Sequence, residues 1–64
     1  MLKINDLIGK DVMFNVGGNP VLVNVEDMNN MGYTCTVKES ESKWYTVGDT
    51  YYIPIGTFVL QVQK

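Results

Sequence analysis

The sequence predicts an all-β domain, a small, strongly bent antiparallel barrel of five strands, and three observations predict it. Apolar residues recur at every second position, as Val12, Phe14 and Val16, then Val21, Val23 and Val25, then Tyr33, Cys35 and Val37, the period of a half-buried strand. β-branched and aromatic residues fill these runs, whereas alanine, the strongest helix former, is absent. Clusters of Gly, Asn and Pro separate the runs at short intervals. About five or six short strands are too few for two packed sheets, but one sheet curled on itself buries a common face.

The start of the chain differs. Leu2, Ile4, Leu7 and Ile8 fit a short N-terminal helix stopped at Gly9, or a short strand. The first strand then runs to Val16, and Gly17-Gly18-Asn19-Pro20 supplies a tight hairpin turn with proline at the head of the second strand. Asp27-Met28-Asn29-Asn30-Met31-Gly32 is the next turn, and the third strand spans Gly32 to Lys38. Glu39-Ser40-Glu41-Ser42-Lys43 is polar and aperiodic, an exposed loop before the aromatic run Trp44-Tyr45-Thr46-Val47. Gly48-Asp49 is either a turn making a hairpin with Thr50-Tyr51-Tyr52-Ile53 or a bulge in one long strand, and the turn is favoured. Pro54 ends that strand, Ile55-Gly56 makes a corner, and the last strand covers Thr57 to Gln63 with Phe58, Leu60 and Val62 on one face. Residues 1–64 read as a single domain.

Composition narrows the function. With 45% hydrophobic and 19% charged residues and mean hydropathy near zero, the chain should fold. A domain this short is marginal unless a disulfide, a metal or oligomerisation assists it. One cysteine, Cys35, forbids an internal disulfide, and the absence of histidine removes the usual zinc cluster, which leaves oligomerisation. No signal-like or membrane-spanning apolar run occurs, so a cytoplasmic protein without a membrane partner is expected. The net charge of −2, from five lysines and no arginine, weighs against an open grip on duplex nucleic acid, though not against a local single-strand pocket.

Catalysis is not expected. Ser40, Ser42 and Cys35 have no histidine to activate them, Glu26 and Asp27 should point to opposite faces of a strand, and Gly17-Gly18 lacks the helix and lysine of a phosphate loop. No cofactor or metal is implied. Cys35 alternates with Tyr33 and Val37 as a small buried hydrophobe would, and Lys38 and Lys43 read as solvated charges.

Two segments carry a family likeness: Gly9-Lys10-Asp11-Val12 with Phe14, Val16, Gly18, Val21, Val23, Val25, Asp27 and Asn30, and then Tyr52-Ile53-Pro54-Ile55-Gly56-Thr57-Phe58-Val59-Leu60. Their order resembles the Sm, LSm and Hfq family of SH3-like barrels, including small divergent chains of bacteriophages and bacteria. The resemblance implies a homo-oligomeric ring of about five to eight subunits, in which the fourth strand of one copy pairs with the fifth of the next. Tyr51, Tyr52, Ile53, Phe58, Val59 and Leu60, apolar on both faces of their segments, would form that interface. It further implies short single-stranded RNA bound by Asp27, Asn29, Asn30 and Met31 on one loop and Ile55, Gly56 and Thr57 on the other. Residue chemistry alone leaves the asparagines open to plain turn duty, and Trp44, Tyr45, Tyr51 and Tyr52 open to base stacking, core or interface. The alternative is an SH3-like structural or protein-interaction module without nucleic acid. A third reading, a ring capturing a small nucleotide, uses the same pockets.

Overall fold

The computed structural model describes residues 7–63. They form five strands, β1 (Asp11–Val16), β2 (Asn19–Met28), β3 (Gly32–Ser40), β4 (Thr50–Pro54) and β5 (Gln61–Val62), in one antiparallel sheet of order β4-β3-β2-β1-β5. There is no helix among the described residues, and none long and apolar enough to cross a membrane.

The β1–β2 hairpin is closed by Gly17 and Gly18, with φ of 58° and 88°, between the paired residues Val16 and Asn19. Both central positions are left-handed, and this turn matches the natural twist of the two strands. Alternation puts Val12 and Phe14 on the buried face of β1, and Val21, Val23 and Val25 on that of β2. β2 and β3 pair with register shifts between Leu22 and Val23 and between Val25 and Asp27, so Lys38 and Glu26 are extra residues. Bulges of this kind bend the sheet toward its apolar face. There Tyr33, Cys35 and Val37 from β3, Ile53 from β4 and Leu7 complete the core. Each fully buried Val or Phe contributes about 1.5–3 kcal/mol.

The sheet does not close into the expected barrel. β4 and β5 stand at opposite edges, and β5 keeps only Gln61 and Val62 of the Thr57–Gln63 strand, paired with Met13 and Val12. Side chains cover the core instead: Phe58 stacks on Phe14 with ring centroids 4.4 Å apart, Tyr45 meets Phe14 edge-on at 5.8 Å, and Leu60 packs beside them. The residues that supply this lid are irregular in backbone, so their apolar character reflects burial rather than a ladder.

Trp44–Val47 is likewise a loop, and the favoured hairpin at Gly48-Asp49 does not form. Gly48, with φ 91°, donates its N–H to Val37 O at 2.9 Å while Asp49 O accepts from Val37 N–H at 3.0 Å. Two residues thus oppose one, a bulge built on a left-handed glycine. A turn in which Asp49 N–H donates to Thr46 O at 3.1 Å feeds it. Turn and bulge are therefore one device that aims the chain into β4. β3 runs to Ser40, two residues beyond the expected end. The expected N-terminal helix falls mainly outside the described residues; Leu7–Lys10 is a turn in which Lys10 N–H donates to Leu7 O at 3.0 Å.

Candidate functional site

The two loops singled out by sequence lie together at one end of the sheet. Asn29 shapes the β2–β3 turn: its side-chain Oδ1 accepts from the N–H of Met31 (2.8 Å) and of Gly32 (2.9 Å), and its own N–H donates to Gly32 O at 2.9 Å. Tyr52 Oη donates to the same Oδ1 at 3.2 Å. That oxygen is consumed by the turn, which leaves Asn30 and Met31 as the exposed tip. Met31 O accepts from Ile55 N–H at 2.9 Å, and in the adjoining turn Thr57 Oγ1 donates to Pro54 O at 2.7 Å. Asp27 sits further along β2, its carboxylate accepting from Met28 N–H. Met31, Tyr52 and Ile55 make an exposed apolar group here. The segments 27–32 and 52–57 contain no lysine, so Asp27 is their only charge. This end presents amides and apolar surface but, within these two segments, no cation for phosphate neutralisation.

The residues expected at a subunit interface divide between two environments. Ile53 is buried in the chain's own core, and Tyr51, Phe58 and Leu60 pack against it. Tyr52 and Val59 are exposed, Val59 by 83%. What the β4 segment offers outward is mainly backbone. Hydrogen bonds at Val37 and at Ile55 fix the phase of the β3–β4 ladder, so Tyr51 and Ile53 bond to β3 while Thr50 and Tyr52 turn N–H and C=O to the open edge. On the other side Gln63 N–H donates to Asp11 O at 2.9 Å, which leaves the Val62 backbone facing away from β1.

Of the four aromatics that the sequence leaves open to base stacking, core or interface, Trp44 and Tyr52 lie outside the core packing, and what sequence reasoning missed is how the Trp44 loop is fixed. The Trp44 side chain is 70% exposed, yet its loop is held firmly. Ser42, the one buried polar residue among those described, donates its N–H to Ser40 Oγ at 3.1 Å, and Ser42 Oγ accepts from Trp44 N–H at 3.1 Å. The Ser-x-Ser spacing before an aromatic was the available signal.

No family model, curated protein or solved structure matches this chain.

Glu26 and Asp27 are both exposed, since the bulge at Glu26 breaks the strand alternation, and Glu26 accepts a hydrogen bond from Thr36. Asp11 accepts from Asn24 Nδ2 (3.0 Å) and Lys38 Nζ (2.9 Å), and these partners lower its pKa. Burial, aided by the Glu26 carboxylate, pushes the Cys35 thiol up to about 11; burial likewise raises the Tyr33 phenol. An unfolded cysteine titrates near ~8.5 and a tyrosine near ~10. Because the folded values are higher, the stabilisation is whole below about pH 8.5 and declines with rising pH, by about 1.4 kcal/mol per unit for each group. Urea midpoints should therefore fall between about pH 8.5 and 10 in the native chain and stay level there in Cys35→Val. Equal slopes in both chains would remove Cys35 from the account.

Proposed function

We propose that this chain is a self-assembling module of the Sm-like (SH3-like) kind, whose copies join head to tail by pairing the free edge of β4 with the free edge of β5. The observation that supports this reading is the pair of uncovered edges on one sheet, with Tyr52 and Ile55 exposed near the first and Val59 and Val62 near the second. Open edges with apolar neighbours invite strand addition, and a repeated head-to-tail contact closes into a ring. Oligomerisation would also add stability to so small a core.

One observation favours a second function for the same assembly. The Met31–Ile55 hydrogen bond joins Asn29–Met31 to Ile55–Thr57, so each copy would offer Asn30, Met31 and Tyr52 to an unstacked base of single-stranded RNA. The acidic balance and the absence of nearby lysine make protein assembly the primary reading.

Native mass spectrometry tests both, with and without oligo-U at low salt. The native chain is expected as a closed oligomer, and Thr50→Pro as a monomer with an unchanged far-UV spectrum, because the Thr50 N–H faces the open edge and its loss spares the β3–β4 ladder. A native monomer, or an oligomer indifferent to Thr50→Pro, would refute the edge pairing. Uptake of oligo-U by the oligomer would support the RNA reading, and refusal would leave assembly alone.

A further inference from the structure

On the side of the sheet away from the Asn29–Met31 end, two depressions meet at Glu41. One, of about 130 Å3, is lined by Met13, Pro20, Leu22, Glu39, Ser40 and Glu41; the other, of about 320 Å3, has Glu41, Asn19 and Trp44 on its walls. Met13 and Leu22 are cross-strand partners, and Leu22 faces Glu39 on β3, so an apolar step lies directly beside a carboxylate. Glu41 N–H donates to Pro20 O at 3.1 Å, which ties the loop to β2 at the junction of the two depressions. Neither Glu39 nor Glu41 has an ion-pair partner among the described residues. Trp44 already carries a cation of its own, with Lys43 Nζ 5.5 Å from the ring centroid.

We propose that this track binds an extended segment of a partner protein in which lysine or arginine alternates with apolar residues. An apolar side chain rests on Met13 and Leu22, a basic one enters between Glu39 and Glu41, and a second cation takes the Trp44 face in place of Lys43. The charge complement selects the occupant: unpaired carboxylates repel phosphate and attract a cation, and a tryptophan face adds attraction to a desolvated one. An exposed tryptophan on a loop fixed by Ser40 and Ser42 loses little freedom when covered, as a binding anchor should. This surface lies off both free edges and does not depend on assembly.

The test is NMR titration of the 15N-labelled chain of 64 residues with the octapeptide acetyl-GSLKLKSG-amide and its counterparts carrying Gln or Glu in place of Lys. The lysine peptide is expected to shift the amides of Leu22 and Glu41 and the Trp44 indole saturably, and to weaken with salt. Trp44→Ala should weaken it about tenfold, the double variant Glu39→Gln/Glu41→Gln about fivefold. Glu39→Lys/Glu41→Lys should transfer the preference to the glutamate peptide. These side chains are exposed or half-buried, and a native-like spectrum of each variant verifies that it folds. Equal binding of the three peptides, shifts confined to Thr50–Pro54, or no saturation would overturn the proposal.

Discussion

Gly32→Ala is expected to remove a large part of the stability of this domain. Gly32 opens β3, is buried, and pairs with Pro54. A Cβ at this position would lie 2.5 Å from the backbone oxygen of Ile53 and 2.8 Å from the Tyr52 ring. The ring is half exposed and can swing aside, at the loss of its hydrogen bond to Asn29. The carbonyl belongs to the β3–β4 ladder, so relief there requires β4 to draw away from β3. Overpacking of this kind costs about 1–3 kcal/mol, and the lost hydrogen bond about 1 kcal/mol more. A chain of this length holds only about 3–10 kcal/mol in total. With a urea slope near ~1 kcal/mol per molar, the midpoint should drop by about 2–4 M, to the point of unfolding in buffer if the native value is low. Gly17→Asn is the control. Nothing lies within 4 Å of its added Cβ, and asparagine accepts a φ of 58°. A Gly32→Ala midpoint close to that of Gly17→Asn would mean that β3 and β4 do not approach as described.

The three long strands are legible in the sequence because one face of each is buried: with side chains alternating, a slip of one residue would expose Val23 or Cys35, and the pattern leaves a single register. The β1–β2 turn is legible for a local reason, since the two glycines flanked by alternating apolar residues admit few other conformations. Barrel closure is a different kind of property. Alternation says which face of Thr50–Ile53 or Phe58–Val62 is buried but not which strand lies beside it, and here the edges of β4 and β5 stay apart. Tyr45 and Phe58 mislead because their apolar neighbours look like strands, while what fixes them is ring packing on Phe14 across long sequence separations. At the loop end, the proximity of Asn29–Met31 to Ile55–Thr57 follows once β3 and β4 pair, because the turn before β3 and the turn after β4 fall at the same end of an antiparallel ladder. The division of labour within the turn was not legible. Asn29 and Asn30 are the same residue type side by side, and only the hydrogen bonds show that the first builds the turn and the second stands free at its tip.

The aromatic lid leads to the second large effect. Phe14 is 1% exposed and holds two irregular segments at once, Phe58 stacked on its face and Tyr45 against its edge; Tyr45 in turn meets Tyr51 of β4 at 4.9 Å. Replacing it with alanine forfeits burial and leaves a cavity, at a cost of about 3–5 kcal/mol, with about 0.5–1.5 kcal/mol for each aromatic pair contained in that loss. Phe14→Ala should therefore be largely unfolded at 37 °C, and what folds at low temperature should have a strongly reduced near-UV circular dichroism, because Phe58 loses the ring it stacks on and Tyr45 keeps only Tyr51 and Phe58 as aromatic neighbours. Phe14→Leu separates packing from ring chemistry. It keeps most of the volume, so its loss should be about half as large, with the sheet intact in the far-UV and the near-UV signal reduced. If Phe14→Ala instead kept a native-like near-UV spectrum, the lid would be anchored elsewhere, and side-chain packing could not be what covers the core between the two free edges. If it unfolded while Phe14→Leu stayed fully native in both spectra, volume rather than ring stacking would be what that cover requires.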